Sequence, residues 1–290
     1  MTLTVAIVAP GNMGAAVARR LVENGVRVLT SLTGRSAASE ARAGAAGMTA
    51  VELGQLASAQ IVLSILPPAH ALVFAGEIAP VLAGSASAAE PGRVNKPVFV
   101  DCNAVSPDTV REIAAVFAGV GVACVDGSII GLPPRQGQPS PHFYIAGAAW
   151  DTARVLPLAE YGLDVRVLDG PVGAASALKM CYAGINKGVA AIASAMILAA
   201  ARSGASAALY QEMSESLPGL LTSLGRQVPD MLPKAQRWVA EMREIAAFAG
   251  TDPAAHSVYV GFSELFDRVA RDVAQDGAEV AALKEFFASS

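Results

Sequence analysis

Val5-Ala6-Ile7-Val8-Ala9-Pro10-Gly11-Asn12-Met13-Gly14 is the stretch that decides the fold. Its first four residues are a short apolar run suited to a buried strand. Ala15, Ala18, Leu21 and Val22 then recur at helical spacing, so a helix opens as the glycine turn closes. Strand, glycine turn and helix in direct succession make the phosphate-binding start of a dinucleotide-binding unit. Gly11 lets the backbone approach a pyrophosphate, and Gly14 lets helix and strand pack closely. The N–H groups of the helix N-terminus hold the phosphate charge. One position departs from G-x-G-x-x-G: Ala9 stands where the first glycine belongs. A plain βα turn is the competing reading.

Outward from this turn, apolar strands alternate with helices. Val26–Leu29, Gln60–Leu66, Val98–Asp101, Val122–Val125, Phe143–Ile145 and Val165–Val167 read as strands. Gly14–Glu23 and Ala37–Ala46 read as helices. A further helix starts at Ser106-Pro107, with Ser as the cap and Pro at the first helical position. Gly84–Gly92 and Leu132–Pro141 read as loops. This alternation predicts an α/β domain with a doubly wound parallel sheet over residues 1–168. The pattern changes near Gly170. Gly173 to Arg202 reads as one long helix, and helical segments continue to the end, broken at Leu217-Pro218-Gly219 and Val228-Pro229. Residues 169–290 are therefore expected to form an all-α domain.

Composition narrows the class. The chain has 290 residues, 53% hydrophobic and only 16% charged, with a mean hydropathy of +0.45. Its most apolar stretch, Gly188–Ala201, is short of the roughly 20 residues that span a bilayer, so a buried or interface helix is expected and no membrane partner. The chain opens on its first strand without a basic lead-in, which argues against a signal peptide. Cys102, Cys124 and Cys181 sit in apolar contexts and read as buried thiols of a reducing, cytoplasmic compartment. Their spacing suits no metal. A net charge of −4 gives no reason to expect nucleic acid as a partner.

The second strand leads into Thr30-Ser31-Leu32-Thr33-Gly34-Arg35-Ser36, and no acidic residue appears before Glu40. An acidic residue here usually binds the ribose 2′-OH of NAD. A guanidinium beside a hydroxyl, Arg35 with Ser36, suits a 2′-phosphate instead, which predicts NADP(H) over NAD(H). A loop-capping Arg is the alternative. Ligands bind beyond the C-terminal ends of parallel strands. That places Leu66-Pro67 and Asn103 at the cofactor edge. Asn103 either meets the nicotinamide ribose or substrate, or only shapes its turn.

On the long helix, Ser176, Lys179, Tyr182 and Asn186 step by three, three and four, which puts them on one face. Their neighbours are mostly Ala, Gly, Met and Ile. A Lys in such surroundings is costly unless paired or functional, and desolvation makes it a better proton donor or acceptor near neutrality. A Lys snorkelling to water is the alternative.

These motifs together resemble the β-hydroxyacid dehydrogenase and 6-phosphogluconate dehydrogenase superfamily, in a branch with a helical C-terminal domain of unknown function. Gly11-Asn12-Met13-Gly14, Leu66-Pro67, Val125-Asp126-Gly127-Ser128-Ile129-Ile130-Gly131 and Lys179-Met180 with Gly184-Ile185 carry the resemblance. It covers most of the nucleotide domain and the long helix, and weakens after about residue 205. It implies a Rossmann-like domain, Lys179 as general acid/base over the nicotinamide, and substrate contacts at Ser128, Ile130 and Gly131. The chain departs from the family at Ala183, where an Asn is expected, and at Asn186, where the phosphogluconate enzymes carry an acid. Ile130-Gly131-Leu132 replaces a Ser-Gly-Gly substrate loop. The expected substrate is a small molecule less polar than 6-phosphogluconate, held between the domains, with Tyr182 supplying a hydroxyl. Arg135 and His142 are candidate anion contacts, more simply read as surface residues. Relatives place a Lys near Gly261–Phe266, and none occurs there. Imine reduction is the alternative chemistry, although that group usually lacks a Lys at this helix position. A non-catalytic dinucleotide sensor is the alternative from another class. Small-residue helices after residue 173 suggest a homodimer through the helical domain.

Overall fold

The computed structural model describes residues 2–84, 96–135, 137–275 and 277–288. Two compact units divide at Lys179/Met180. The first holds eight strands: β1 (Thr4–Val8), β2 (Arg27–Thr30), β3 (Thr49–Ala50), β4 (Ile61–Ser64), β5 (Val98–Asp101), β6 (Ala123–Ile130), β7 (His142–Ala146) and β8 (Asp164–Val167). They form one sheet in the order β3-β2-β1-β4-β5-β6-β7-β8. The strand order reverses between β1 and β4, where Val8 pairs with Ser64. That reversal opens a crevice at the C-terminal strand ends, beside the glycine turn.

Helices α1 (Asn12–Glu23), α2 (Ala37–Ala45), α3 (Ala71–Ala83), α4 (Pro107–Ala118) and the short α5 (Ala149–Ala153) connect the strands. Ser106 caps α4, its Oγ accepting from the Thr109 N–H at 3.2 Å, with Pro107 in the first turn. The sheet is apolar on both faces. Val5, Ile7, Val17 and Leu21 fill one side. Ala6, Ile78, Phe99, Ile113 and Phe117 fill the other. Phe99 and Phe117 stack with centroids 4.2 Å apart, and both are fully buried. Phe99→Ala is expected to cost about 3–5 kcal/mol, read as a lower denaturation midpoint.

Two sequence expectations need correction. The sheet is not wholly parallel, because β6 and β7 run antiparallel. Only the loop over 131–141 joins them, and without a crossover helix the chain must return in the opposite direction. The break expected at Val228-Pro229 is also absent. Helix α8 (Pro218–Met231) continues through Pro229. The proline lies in the last turn, where little of the ladder is lost, and the fully buried Val228 and Met231 hold that turn in place. Strand β3, two exposed residues on the sheet edge, left no readable pattern. The loop expected over Gly84–Gly92 lies, beyond Gly84, outside the described residues.

Helix α6 (Ala174–Arg202) runs through the division between the units. Its 29 residues make it long and apolar enough to cross a membrane by length and composition, beyond the fourteen-residue run read from the sequence. The second unit adds α7 (Ser206–Ser216), α8, α9 (Ala235–Phe248), α10 (Pro253–Val273) and α11 (Ala278–Ala288). Its core gathers Met231, Met242, Phe266 and Val269. The small residues of α6 have a use here. A Cβ on Gly184 would stand 2.7 Å from the Tyr259 hydroxyl, and one on Gly188 would stand 3.2 Å from the Phe262 ring. Both rings belong to α10.

Candidate active site

The glycine turn is built for close approach. A Cβ on Gly14 would sit 2.2 Å from the Ala9 carbonyl oxygen, so helix and strand pack as they do only with glycine. A Cβ on Gly11 would meet nothing within 4 Å, which leaves that side of the turn open. No side chain caps α1, and its first turn carries no acid. An open, uncapped helix N-terminus beside glycine is what a diphosphate requires. Asn12 is exposed and Met13 partly buried in this turn. Arg42 of α2 donates from Nε to the Pro10 carbonyl at 2.9 Å and fixes the turn from the side.

Beyond the ends of β2 and β4 lies a cavity of about 180 Å³, lined by Arg35, Leu66, His70, Val73, Phe74 and Glu77. It brings Arg35 and Leu66 together, as expected for one end of a cofactor. Pro67 is exposed beside it. Ser36 is engaged locally: its Oγ accepts from the Ser39 N–H and caps α2. The glycine turn, the uncapped α1 and this cavity fit a bound dinucleotide.

A polar row crosses the apolar sheet at its C-terminal edge. Ser64, Asp101 and Asp126 occupy adjacent register positions on β4, β5 and β6, and all three are fully buried. Asn103 binds two of them. Its backbone N–H donates to Asp101 Oδ1 at 3.0 Å. Its Nδ2 donates to Asp101 Oδ2 at 2.7 Å and to Ser64 Oγ at 3.0 Å. Its Oδ1 accepts from the Leu66 N–H at 2.5 Å. Both amide hydrogens of Asn103 are thus used within the sheet, and the side chain shapes the strand ends.

Asp126 anchors helix α6. Its Oδ2 accepts from the backbone N–H groups of Gly173, Ala175 and Ser176 at 2.9, 2.8 and 3.0 Å. Its Oδ1 accepts from Ser176 Oγ at 2.7 Å. A carboxylate at a helix N-terminus is favoured by both the open N–H groups and the helix dipole. Burial nevertheless pushes Asp126 above the usual carboxylate range, against the pull of the Ser176, Gly173 and Ala175 bonds. Burial pushes Asp101 up to about 6. The Asn103 bonds oppose this, the Asp126 charge adds to it, and the Lys179 charge opposes it.

Lys179 is partly buried one turn beyond Ser176, at a helical step that keeps it on the anchored face. Tyr182 (55% exposed) and Asn186 follow it along α6 on that face, both more open than Lys179. The helix is therefore less enclosed than its composition suggests. Ser128 shares the Asp126 face of β6, fully buried, with a hydroxyl that has no partner among the described residues. Ile130 ends β6 partly buried, and Gly131 is exposed.

Residues 4–87 match the family model described as NADP oxidoreductase, coenzyme F420-dependent. Residues 200–269 match a domain of unknown function, DUF1932. A 3-hydroxyisobutyrate dehydrogenase of Pseudomonas aeruginosa is 27% identical over 159 residues, 54% of this chain and 50% of that protein. The chain thus spans about half the length of this curated relative. A conserved protein of unknown function, described as structurally similar to 3-hydroxyacid dehydrogenases, aligns at 26% identity with a TM-score of 0.78, over 95% of this chain and 100% of that one. Taken together, the chain is similar to 3-hydroxyacid dehydrogenase-like proteins, and its C-terminal part matches a domain of unknown function. The fold is also that of a Mycobacterium tuberculosis 3-hydroxyisobutyrate dehydrogenase with L-serine, at 22% identity and a TM-score of 0.67, over 98% and 99% of the two chains.

Several features of the site escaped the sequence. Arg42 and Pro10 meet across 32 positions, and nothing local announces the contact. The Ser64–Asp101–Asp126 row exists only through strand register. His142 and Arg135 take the plainer of their two readings. His142 Nδ1 pairs with Asp164 Oδ2 at 2.7 Å on the sheet edge, and Arg135 is exposed. The three cysteines are free but not uniformly buried. Cys102 is buried, Cys124 partly so, and Cys181 is exposed on α6. Burial pushes the Cys102 and Cys124 thiols up, so they stay protonated.

Proposed function

We propose that this protein is an NADP-dependent oxidoreductase acting on a hydroxyl/carbonyl pair of a small hydroxyacid-like substrate, with Lys179 as general acid/base. The carrying observation is the anchoring of α6. Four hydrogen bonds to Asp126 hold the first turn of the helix against β6, and Lys179 follows one turn later beside the strand ends. Gly11, Asn12, Met13 and Gly14 would hold the diphosphate on the N-terminus of α1, and Arg35 and Leu66 the adenosine end. The nicotinamide, when bound, supplies the hydride chemistry. Lys179, neutral in the oxidative direction, takes the proton from the substrate hydroxyl as the carbonyl forms. In the reductive direction its ammonium returns that proton to the oxygen. Tyr182 and Asn186 supply polar groups further along the same helix face. Ile130 and Leu132, where the family carries Ser and Gly, favour a substrate with less polar surface.

The preference for NADP(H) rests on Arg35 in the cavity and on the absence of an acid between β2 and α2. A charge-assisted bond to a 2′-phosphate contributes about 1.5–3 kcal/mol. Fluorescence titration is expected to show NADPH binding at least about tenfold tighter than NADH, and Arg35→Ala is expected to remove most of that difference. Equal affinities in the unaltered protein would remove the NADP assignment.

A further inference from the structure

We propose that Asp101 and Asp126 form a buried acidic pair that positions Lys179 and sets the charge it carries. The two carboxylates stand side by side in register on β5 and β6, beneath the first turn of α6. Both face the side of the sheet where Phe99 and Val172 pack, since side chains two apart on a strand share a face. Asp126 grips the helix start through Gly173, Ala175 and Ser176, which leaves Lys179 one turn above the pair. Asp101 is held by Asn103, and the Lys179 charge is the weakest of the influences on its carboxyl, opposing its rise.

Among the described residues, other groups lie near these elements. Cys102 of β5 also feels Lys179, but its burial keeps it a neutral thiol. Arg111 of α4 lies against Gly173 at the very start of the helix, and it is exposed and paired with Asp108. Cys181 and Tyr182 follow on α6 itself, both exposed. Buried negative charge favours an ammonium over a neutral amine. The pair therefore raises the titration midpoint of Lys179, and removing either charge lowers it. Its functional meaning rests on the reading of Lys179 as an acid/base. Asp101 and Asp126 touch no substrate in this account and act through the lysine.

The test is a pH titration of Lys179 in the full-length protein. The chain has five lysines, so ¹³C-dimethylation gives a simple spectrum, and Lys179→Arg identifies the signal. Asp126→Asn keeps the hydrogen-bond inventory. Its amide oxygen can accept the three backbone bonds while its NH₂ donates to Ser176 Oγ. Asp101→Asn leaves one donor facing Asn103, so its fold is checked by circular dichroism. Ser64→Ala removes a polar neighbour and no charge. The expected result is a midpoint lower by about half a pH unit or more in Asp126→Asn and Asp101→Asn, and unchanged in Ser64→Ala. If Asp101→Asn does not fold, Asp126→Asn decides alone. An unmoved midpoint in the folded charge variants, or an equal shift in Ser64→Ala, overturns the proposal. The titration needs neither cofactor nor substrate. A lowered midpoint without NADPH-linked turnover would keep the acidic pair and remove the dehydrogenase reading, while turnover with an unmoved midpoint would do the reverse.

Discussion

Lys179→Ala is expected to lower NADPH-linked turnover by about 10²–10⁴-fold, the usual contribution of one positioned acid/base group. NADPH affinity should stay within about twofold, because the residues proposed to hold the diphosphate and adenosine ends lie elsewhere, on α1 and in the Arg35 cavity. The fold should survive. Ala is the best helix former, and the four bonds from Asp126 to the start of α6 do not involve the Lys179 side chain. The split between lost kcat and retained cofactor affinity is what separates a chemical role from a packing role. Lys179→Arg should be nearly as inactive, because a guanidinium keeps the charge but does not release its proton near neutrality. Steady-state kinetics with a parallel fluorescence titration read both quantities.

Gly14→Ala should be the most damaging single methyl group in the nucleotide unit. Its Cβ would lie 2.2 Å from the Ala9 carbonyl oxygen, a backbone atom that cannot rotate aside. The start of α1 must move away from β1, at a cost of about 1–3 kcal/mol or more. The same movement displaces the N–H groups proposed to face the diphosphate, so NADPH affinity should fall by more than about tenfold. Gly11→Ala separates the two effects. An added Cβ there meets no atom within 4 Å of the protein, so thermal stability should hold while affinity falls. Melting curves with and without NADPH distinguish the variants: Gly14→Ala is lowered in both, and Gly11→Ala loses only the ligand-induced increase.

Local signals in the chain were readable in proportion to how local they are. The β1 turn, the Ser106-Pro107 cap and the span of α6 each follow from a few neighbouring residues, and each appears where the pattern places it. The direction of β7 was not readable. A short apolar strand looks the same in either sense, and only the missing crossover helix after β6 marks the turn back. Pro229 misled because proline is a breaker in general, while its effect depends on how near the helix end it falls and on what Val228 and Met231 bury. For the site, the resemblance singled out Lys179, and the structure adds why it sits where it does. Asp101 and Asp126 lie 25 positions apart, and no spacing rule connects them. Sheet register does. The Asn103 amide shows the same limit: its partners Ser64, Asp101 and Leu66 are gathered by strand register, and no local pattern announces them.

The measurement that bears most directly on this account is NADPH-linked turnover against a panel of small oxo acids, aryl ketones and cyclic imines, with the unaltered protein and Lys179→Ala side by side. The account predicts reduction of an oxo acid or related carbonyl by the unaltered protein and its loss in the variant. No carbonyl turnover, or turnover indifferent to Lys179, would contradict it and point to imine chemistry or to dinucleotide binding without catalysis.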